Sequence, residues 1–482
     1  MTHTSFQYID GEWTDGESDD EITVRNPATP DQPLVSLQGA SRAQANDAVL
    51  AAARASEDWR TTTPDERDSI MYDVADRIEA NRDALAETLT IEEGKPISSS
   101  RGEVSRAAEI FRFFASFART ATGETVPSND PETFTYTFRE PLGVATLVTP
   151  WNFPIATPSW KLATALATGN TVVLKPSSET PMIARRLVEI LAEAGVPAGV
   201  VNLVAGAGST VGDELTTSEH VDAISFTGST TTGRHIAEQA AARGVPVQTE
   251  MGGKNPQVVL ADADVSDAAD AAVAGAFGLT GQACTATSRL LVHRDIAETV
   301  TEAVVERAEA LSIGPGMDDP DMGPAVSADQ DETNFEYVDV AKEEGATLRT
   351  GGTRPAGRDT GYFIEPTVFT DVESGMRIAQ EEVFGPVLSV IEVADFEEAV
   401  RVANDVSYGL SASIFTSDMT AARAFTKRVE AGVIKVNGTT TGSQIQMPFG
   451  GMKASSSETK KELGRRGYEF YTHNKVVYRT DP

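Results

Sequence analysis

The polarity pattern of the chain changes period several times, and each change marks a different kind of element. In "SRAQANDAVLAAARASEDWR" (41–60) and "PDERDSIMYDVADRIEANRDALAETLTIEEGK" (64–95) the apolar residues recur at helical spacing. That spacing predicts amphipathic helices, and Pro64 stands where a first helical turn tolerates a missing N–H. "FTYTFREPLGVATLVTPW" (134–151) alternates instead and reads as a strand pair. Three β-branched runs follow, each leading through a turn into a helix-like segment: "NTVVLKPSSETPMIARRLVEILAEAG" (170–195), "GVVNLVAGAGSTVGDEL" (199–215) and "DAISFTGSTTTGRHIAEQAAARG" (222–244). Strands alternating with helices predict a parallel sheet in an α/β domain.

A second α/β region starts after "VQTEMGGKNPQVVL" (247–260) and includes "DAADAAVAGAFGLTGQACTATSRLLVH" (267–293) and "FEEAVRVANDVSYGLSASIFT" (396–416). The tail "EFYTHNKVVYRTDP" (469–482) reads as a terminal strand. At 482 residues the length prior is about three domains or lobes. No repeat of solenoid period and no low-complexity linker interrupts the chain, so the lobes are expected to pack together.

Charge narrows the function classes. A net charge of −32, spread along the chain, repels nucleic acid and anionic membranes. With lysine scarcer than arginine, it reads as adaptation of a soluble protein to high salt; a merely acidic mesophilic enzyme is the alternative. Apolar stretches are broken by Pro, Gly, Asn or charges, so no membrane span is expected. The first residues have neither a basic nor an apolar leader pattern, which makes the cytoplasm the expected location. Five scattered histidines lack metal-ligand spacing, and no metal is expected.

Cys284 is the only cysteine and cannot form an intrachain disulfide. It is either a small buried hydrophobe or a nucleophile. Glu250 ends a strand before Gly252 and Gly253, although carboxylates there are usually solvated. "AISFTGSTTTGR" (223–234) enters a helix through a glycine turn, offering free N–H groups to a phosphate. "GAGSTVG" (206–212) resembles a phosphate loop but also an ordinary structural turn.

Seven motifs decide among these readings. "PWNFP", "GNTVVLKP", "FTGSTTTG", "EMGGKNP", "GQACTATSR", "EEVFGPV" and "MPFGGMKAS" stand in the order and spacing of the aldehyde dehydrogenase superfamily, which the chain resembles over nearly its whole length. The resemblance implies that Cys284 is the nucleophile, Asn152 the oxyanion donor beside the Cys284 N–H, and Glu250 the base that activates water. It implies a cofactor surface of Thr149, Trp151, Lys175, Ser178, Gly208, Phe226, Thr227, Gly228, Ser229, Gly233 and Met251. Glu382 and Phe384 would then position the nicotinamide ribose and ring. Phe153 and Trp160 match aromatic walls of the aldehyde tunnel, against a plain packing role.

Two departures refine the expectation. NAD-preferring relatives carry Glu three residues after the Lys of the "KP" motif, where this chain has Ser178, with Glu179 next. NADP is therefore the expected cofactor, with NAD the alternative should Glu179 swing in. Trp160 before Lys161 counts against succinic semialdehyde, whose bacterial-type dehydrogenases usually carry Arg there. The stretches 123–161 and 447–478 most resemble α-ketoglutaric semialdehyde (2,5-dioxopentanoate) dehydrogenases of sugar-acid oxidation. Arg106 is the candidate anchor for a substrate carboxylate, against an ordinary surface arginine. The alternatives are a succinate, glutarate or other short-aldehyde dehydrogenase, a variant that passes the thioester to coenzyme A, and a non-enzymatic member of the fold.

The implied fold is α/β. A Rossmann-like nucleotide-binding domain would span 1–118 and 142–250, a catalytic α/β domain 251–468, and a small β oligomerisation extension 119–141 and 469–482. A small-molecule aldehyde and one or three further copies of the chain, as homodimer or homotetramer, are the expected partners.

Overall fold

The first two helices start at side-chain caps. Ser41 accepts from the Gln44 N–H at 3.2 Å while Gln44 Oε1 accepts from the Ser41 N–H at 3.1 Å, and helix Arg42–Thr61 begins there. Thr63 and Glu66 repeat the device, with Pro64 at the first turn. The periodic segment that follows is two helices, Pro64–Ala80 and Arg82–Glu93, broken at Asn81. The computed structural model describes residues 5–119, 123–457 and 460–480. Residues 1–4, 120–122, 458–459 and 481–482 lie outside the described residues, and with them parts of the expected domain segments 1–118, 119–141, 251–468 and 469–482.

Two seven-stranded sheets form the frame. The first has the order Val247–Glu250, Ala223–Thr227, Val144–Val148, Thr171–Lys175, Val201–Leu203, Gln7–Ile9, Glu12–Thr14. Its first five strands are parallel, and the last two add an antiparallel hairpin. Val144–Val148 is the first of the five in sequence, and successive connections run to opposite sides of it. The crevice at its carboxyl end, beside that of Ala223–Thr227, is therefore a topological switch point, where open α/β sheets bind ligands.

The second sheet runs Thr347–Thr350, Thr367–Thr370, Val387–Val393, Thr287–His293, Asn255–Val259, Ser411–Phe415, Val433–Val436. It is parallel apart from its first pair. Separate apolar clusters support the two sheets, one built on Leu147, Leu174 and Phe111, another on Leu291, Phe369 and Ile414. The strand pair expected over 134–151 forms as two strands that do not pair with each other. Thr133–Pro141 joins Thr472–Thr480 and Thr125–Val126 in a separate antiparallel sheet, whereas Val144–Val148 enters the first large sheet. Gly143, at φ 134°, turns the chain between them, its N–H held by Asn170 Oδ1 at 2.9 Å.

Candidate active site

A cavity of about 730 Å³ opens between the ends of the two large sheets, and it gathers side chains from many separate segments. Asn152, Phe153 and Trp160 come from the turn and helix after Val144–Val148; Glu250 and Met251 come from the end of Val247–Glu250. Cys284 enters from the loop before Thr287–His293, and Glu382 and Phe384 from the loop before Val387–Val393. Arg106 reaches in from helix Ile97–Ala118, and Glu462 from near the C-terminus. Hundreds of residues separate these groups in sequence, yet all line one space.

The thiol sits on a strained loop. Leu279 and Thr280 hold φ near +55° (53° and 58°), and Phe384 on the facing loop sits at 59°. Side-chain-bearing residues pay for this conformation, which is kept where packing dictates it and is concentrated at functional sites. Burial, reinforced by the carboxylates of Glu382, Glu250 and Glu462, pushes the Cys284 thiol up to about 12, against a smaller opposing hydrogen bond from Thr285. The Cys284 N–H has no hydrogen-bond partner among the described residues. Asn152 Nδ2 donates to the Gln282 carbonyl at 2.9 Å, fixing the amide beside the thiol loop with its second N–H still to place.

Glu250 is buried, and its pKa is raised well above the usual carboxylate range by desolvation first and Glu462 second. The Gly451 N–H donates to Glu250 Oε2 at 3.2 Å. Gly450, at φ 154°, admits this approach: a Cβ there would meet Glu250 Oε1 at 2.3 Å. Glu462 is ion-paired to Lys161, whose Nζ also donates to Ser225 Oγ at 2.7 Å. Sequence reasoning missed this pair. A lysine in an otherwise apolar helix, "PSWKLATALATG", was a usable signal; Glu462, among charged neighbours, carried none.

Glu382 Oε1 accepts from the Gly253 N–H at 2.8 Å, and a Cβ on Gly252 would strike Glu382 Oε2 at 2.0 Å. Burial lifts this carboxyl to about 7. Trp151 meets the Phe384 ring edge-on at 5.3 Å between centroids. Thr227, Gly228 and Ser229 also line the cavity, at the start of helix Thr230–Arg243. Phe226 is buried beneath that turn, 2.7 Å from where a Gly228 Cβ would stand, and with Met251 it packs against Gly233.

Thr149, Lys175, Ser178 and Gly208 do not line this cavity. They lie at or beyond the ends of Val144–Val148, Thr171–Lys175 and Val201–Leu203, along the same carboxyl edge. Lys175 is nine-tenths buried, its pKa lowered to about 8 by desolvation, and its Nζ has no ion pair or hydrogen bond among the described residues. Glu179 is exposed and makes no ion pair with Lys175; partial desolvation of its carboxyl and the charge of Asp329 raise its pKa. Thr149 Oγ1 and Thr227 Oγ1 are likewise buried without partners. A buried unpaired cation and two orphaned hydroxyls, along a helix start at the switch point, fit the sugar and phosphate groups of a dinucleotide.

Trp160 packs edge-on against Phe449 at 5.4 Å, and Phe153 lies 4.8 Å from Lys95 Nζ. Arg106 donates to the Ser443 carbonyl at 2.9 Å and stands 3.6 Å from exposed Glu109. Among the described residues no cluster of His, Cys, Asp and Glu could hold a metal ion. No helix among them is long and apolar enough to cross a membrane.

A sequence profile described as the aldehyde dehydrogenase family matches residues 13–477. An α-ketoglutarate semialdehyde dehydrogenase of Haloferax volcanii is 50% identical over 480 residues, covering 99% of both chains. A 2,5-dioxopentanoate dehydrogenase of Saccharolobus solfataricus is 43% identical over 476 residues, 98% of this chain and 99% of its own. Among solved structures, a betaine aldehyde dehydrogenase of Staphylococcus aureus in complex with NAD+ superposes with a TM-score of 0.96 at 38% identity, covering 100% of this chain and 96% of that one.

Proposed function

Since the chain belongs to the aldehyde dehydrogenase family, we propose that its own substrate is α-ketoglutaric semialdehyde, oxidised to 2-oxoglutarate through a thioester on Cys284. It is an NAD(P)-dependent aldehyde dehydrogenase. The observation that carries the catalytic reading is the convergence of Cys284, Asn152 and Glu250 on one cavity. Cys284 loses its proton to solvent, its thiolate Sγ adds to the aldehyde carbon, and the oxyanion is held by Asn152 Nδ2 and the Cys284 N–H. Such donors act where charge develops, and losing one costs roughly 10²–10³-fold in turnover. A nicotinamide held by the cofactor residues would supply the hydride acceptor, and loss of hydride leaves the substrate as a thioester on Cys284. Glu250 then takes a proton from water, which attacks the thioester carbon and expels the thiolate, releasing the acid. Glu462, ion-paired to Lys161, is the carboxylate whose charge most raises the proton affinity of Glu250. Glu250 also favours hydrolysis over transfer to coenzyme A.

Three finer readings belong to the proposal. Arg106 anchors the distal carboxylate: apart from Lys95, which is paired with Glu103, it is the cation lining the cavity among the described residues. NADP is accepted as well as NAD, supported by Lys175 standing without a carboxylate partner beside Ser178 and exposed Glu179. Self-association uses the three-stranded sheet, which exposes Val126, Phe134, Val476 and Tyr478 across its three strands and has Thr472–Thr480 as an edge strand. The acidic surface suits a salt-rich cytoplasm.

Comparing kcat/KM over a panel of semialdehydes with each cofactor tests the substrate. α-Ketoglutaric semialdehyde is expected to rank first, and Arg106→Ala to raise its KM about tenfold or more while leaving a neutral aldehyde of similar length unchanged. Betaine aldehyde or succinic semialdehyde ranking first would overturn the assignment.

A further inference from the structure

Next to the thiol, a buried ion pair that the reaction scheme does not use grips the turn carrying Asn152. Lys95 follows helix Arg82–Glu93 and Glu103 lies in the second turn of Ile97–Ala118, so one helical junction supplies both. Lys95 Nζ donates to Glu103 Oε2 at 2.7 Å and to the Asn152 carbonyl itself at 2.6 Å. Glu103 Oε1 accepts from the Ile155 N–H at 3.1 Å and the Ala156 N–H at 3.0 Å. The pair thus holds a carbonyl at one end of the "WNFP" turn and two N–H groups at the other. Lys95 and Glu103 are 2% and 6% exposed, so water does not compete for these bonds.

We propose that Lys95 and Glu103 are positioning residues that act through Asn152, clamping its amide for the oxyanion. The opposite side of the clamp is visible too. Asn152 Nδ2 is held by the Gln282 carbonyl, and Gln282 is fixed by the Val326 N–H to its Oε1 at 2.9 Å. With its backbone tied to Lys95 and its amide tied to the thiol loop, Asn152 cannot turn away from Cys284. An oxyanion donor is effective only if its orientation is set before charge appears, because reorienting it during the reaction consumes the stabilisation it offers. A buried charge pair bonded to one carbonyl and two N–H groups of the same turn, with Glu93 3.7 Å from the Lys95 ammonium, favours a single geometry; apolar packing would permit several.

The inference rests on reading Asn152 as the oxyanion donor, and a double-mutant cycle separates the two ideas. Turnover of the aldehyde and cofactor affinity are measured for wild type, Lys95→Met, Asn152→Ala and the double variant. Lys95→Met is expected to lower kcat about 10–100-fold, the scale of a misplaced catalytic group, with cofactor affinity unchanged. In the Asn152→Ala background the same change is expected to cost nothing further. Full multiplication of the two losses overturns the inference while leaving Asn152 in its role. An Asn152→Ala enzyme with wild-type kcat overturns both. Should Lys95→Met not fold, Glu103→Gln takes its place in the cycle, keeping an oxygen for the Ile155 and Ala156 N–H groups. Non-additivity with Asn152→Ala then supports the clamp, and full multiplication overturns it. Lys95→Arg, which retains the charge, is expected to recover part of the lost kcat.

Discussion

The two ends of the cleft differ in charge but share one physical condition. At the thiol end Cys284 faces Glu250, Glu382 and Glu462, and burial among carboxylates holds the sulfur protonated. At the other end Lys175 is buried with no carboxylate partner among the described residues, and desolvation lowers its pKa to about 8. The charges acting on the Cys284 sulfur are all carboxylates, and Lys175 has no carboxylate partner among the described residues. A dinucleotide bound as proposed, with its cationic nicotinamide at the thiol and its anionic phosphates toward Lys175, would supply both counter-charges. If the cofactor binds as proposed, each buried group would meet its counter-charge only in the complex.

The strongest test removes the carboxylate that serves chemistry while keeping those that merely surround the thiol. Glu250→Gln is expected to cut steady-state turnover about 10²–10⁴-fold. A rapid first turnover of reduced cofactor, seen by stopped-flow absorbance at 340 nm, should survive, because thioester formation does not require the base. Loss of that burst would mean Glu250 also takes the thiol proton.

Thiol activation by cofactor charge comes next. Without cofactor, the rate of Cys284 alkylation should climb with pH toward about 12, because only the thiolate reacts. Saturating oxidised cofactor should move the profile down by at least about one unit, tenfold in thiolate at a given pH. An unmoved profile would break the idea that the two ends are complementary to one ligand.

Smaller effects probe the other end. Ser178→Glu should weaken NADP binding about tenfold, by placing a carboxylate against a 2′-phosphate, and leave NAD within about twofold. The pH dependence has a definite sign. Lys175 loses its proton as pH rises through about 8, so NADP affinity should fall above that pH, and more steeply than NAD affinity. Titration calorimetry with both cofactors from neutral to alkaline pH checks the slope. Equal slopes would separate Lys175 from the phosphate.

Much of this was legible in the chain. The helical spacing of 41–60 and the β-branched runs before each turn announced an α/β protein, motif order identified the family, and only through that resemblance did the solitary Cys284 read as the nucleophile. The misread strand pair at 134–151 shows a limit: alternation reports that each segment is extended, while partner choice depends on Thr472–Thr480, over 300 residues away. The unbroken helical period of 64–95 likewise hid the break at Asn81.

The sequence by itself determined which groups can react, because nucleophilicity, amide donation and proton affinity belong to residue types, and local periodicity determined the elements carrying them. Only the tertiary structure decided that Glu462 and Lys161 stand behind Glu250, that Lys95 grips Asn152, and that Lys175 has no partner among the described residues. The reason is that desolvation and charge proximity are collective. They depend on segments remote in sequence closing over the same small volume, and no local pattern records which segments those will be.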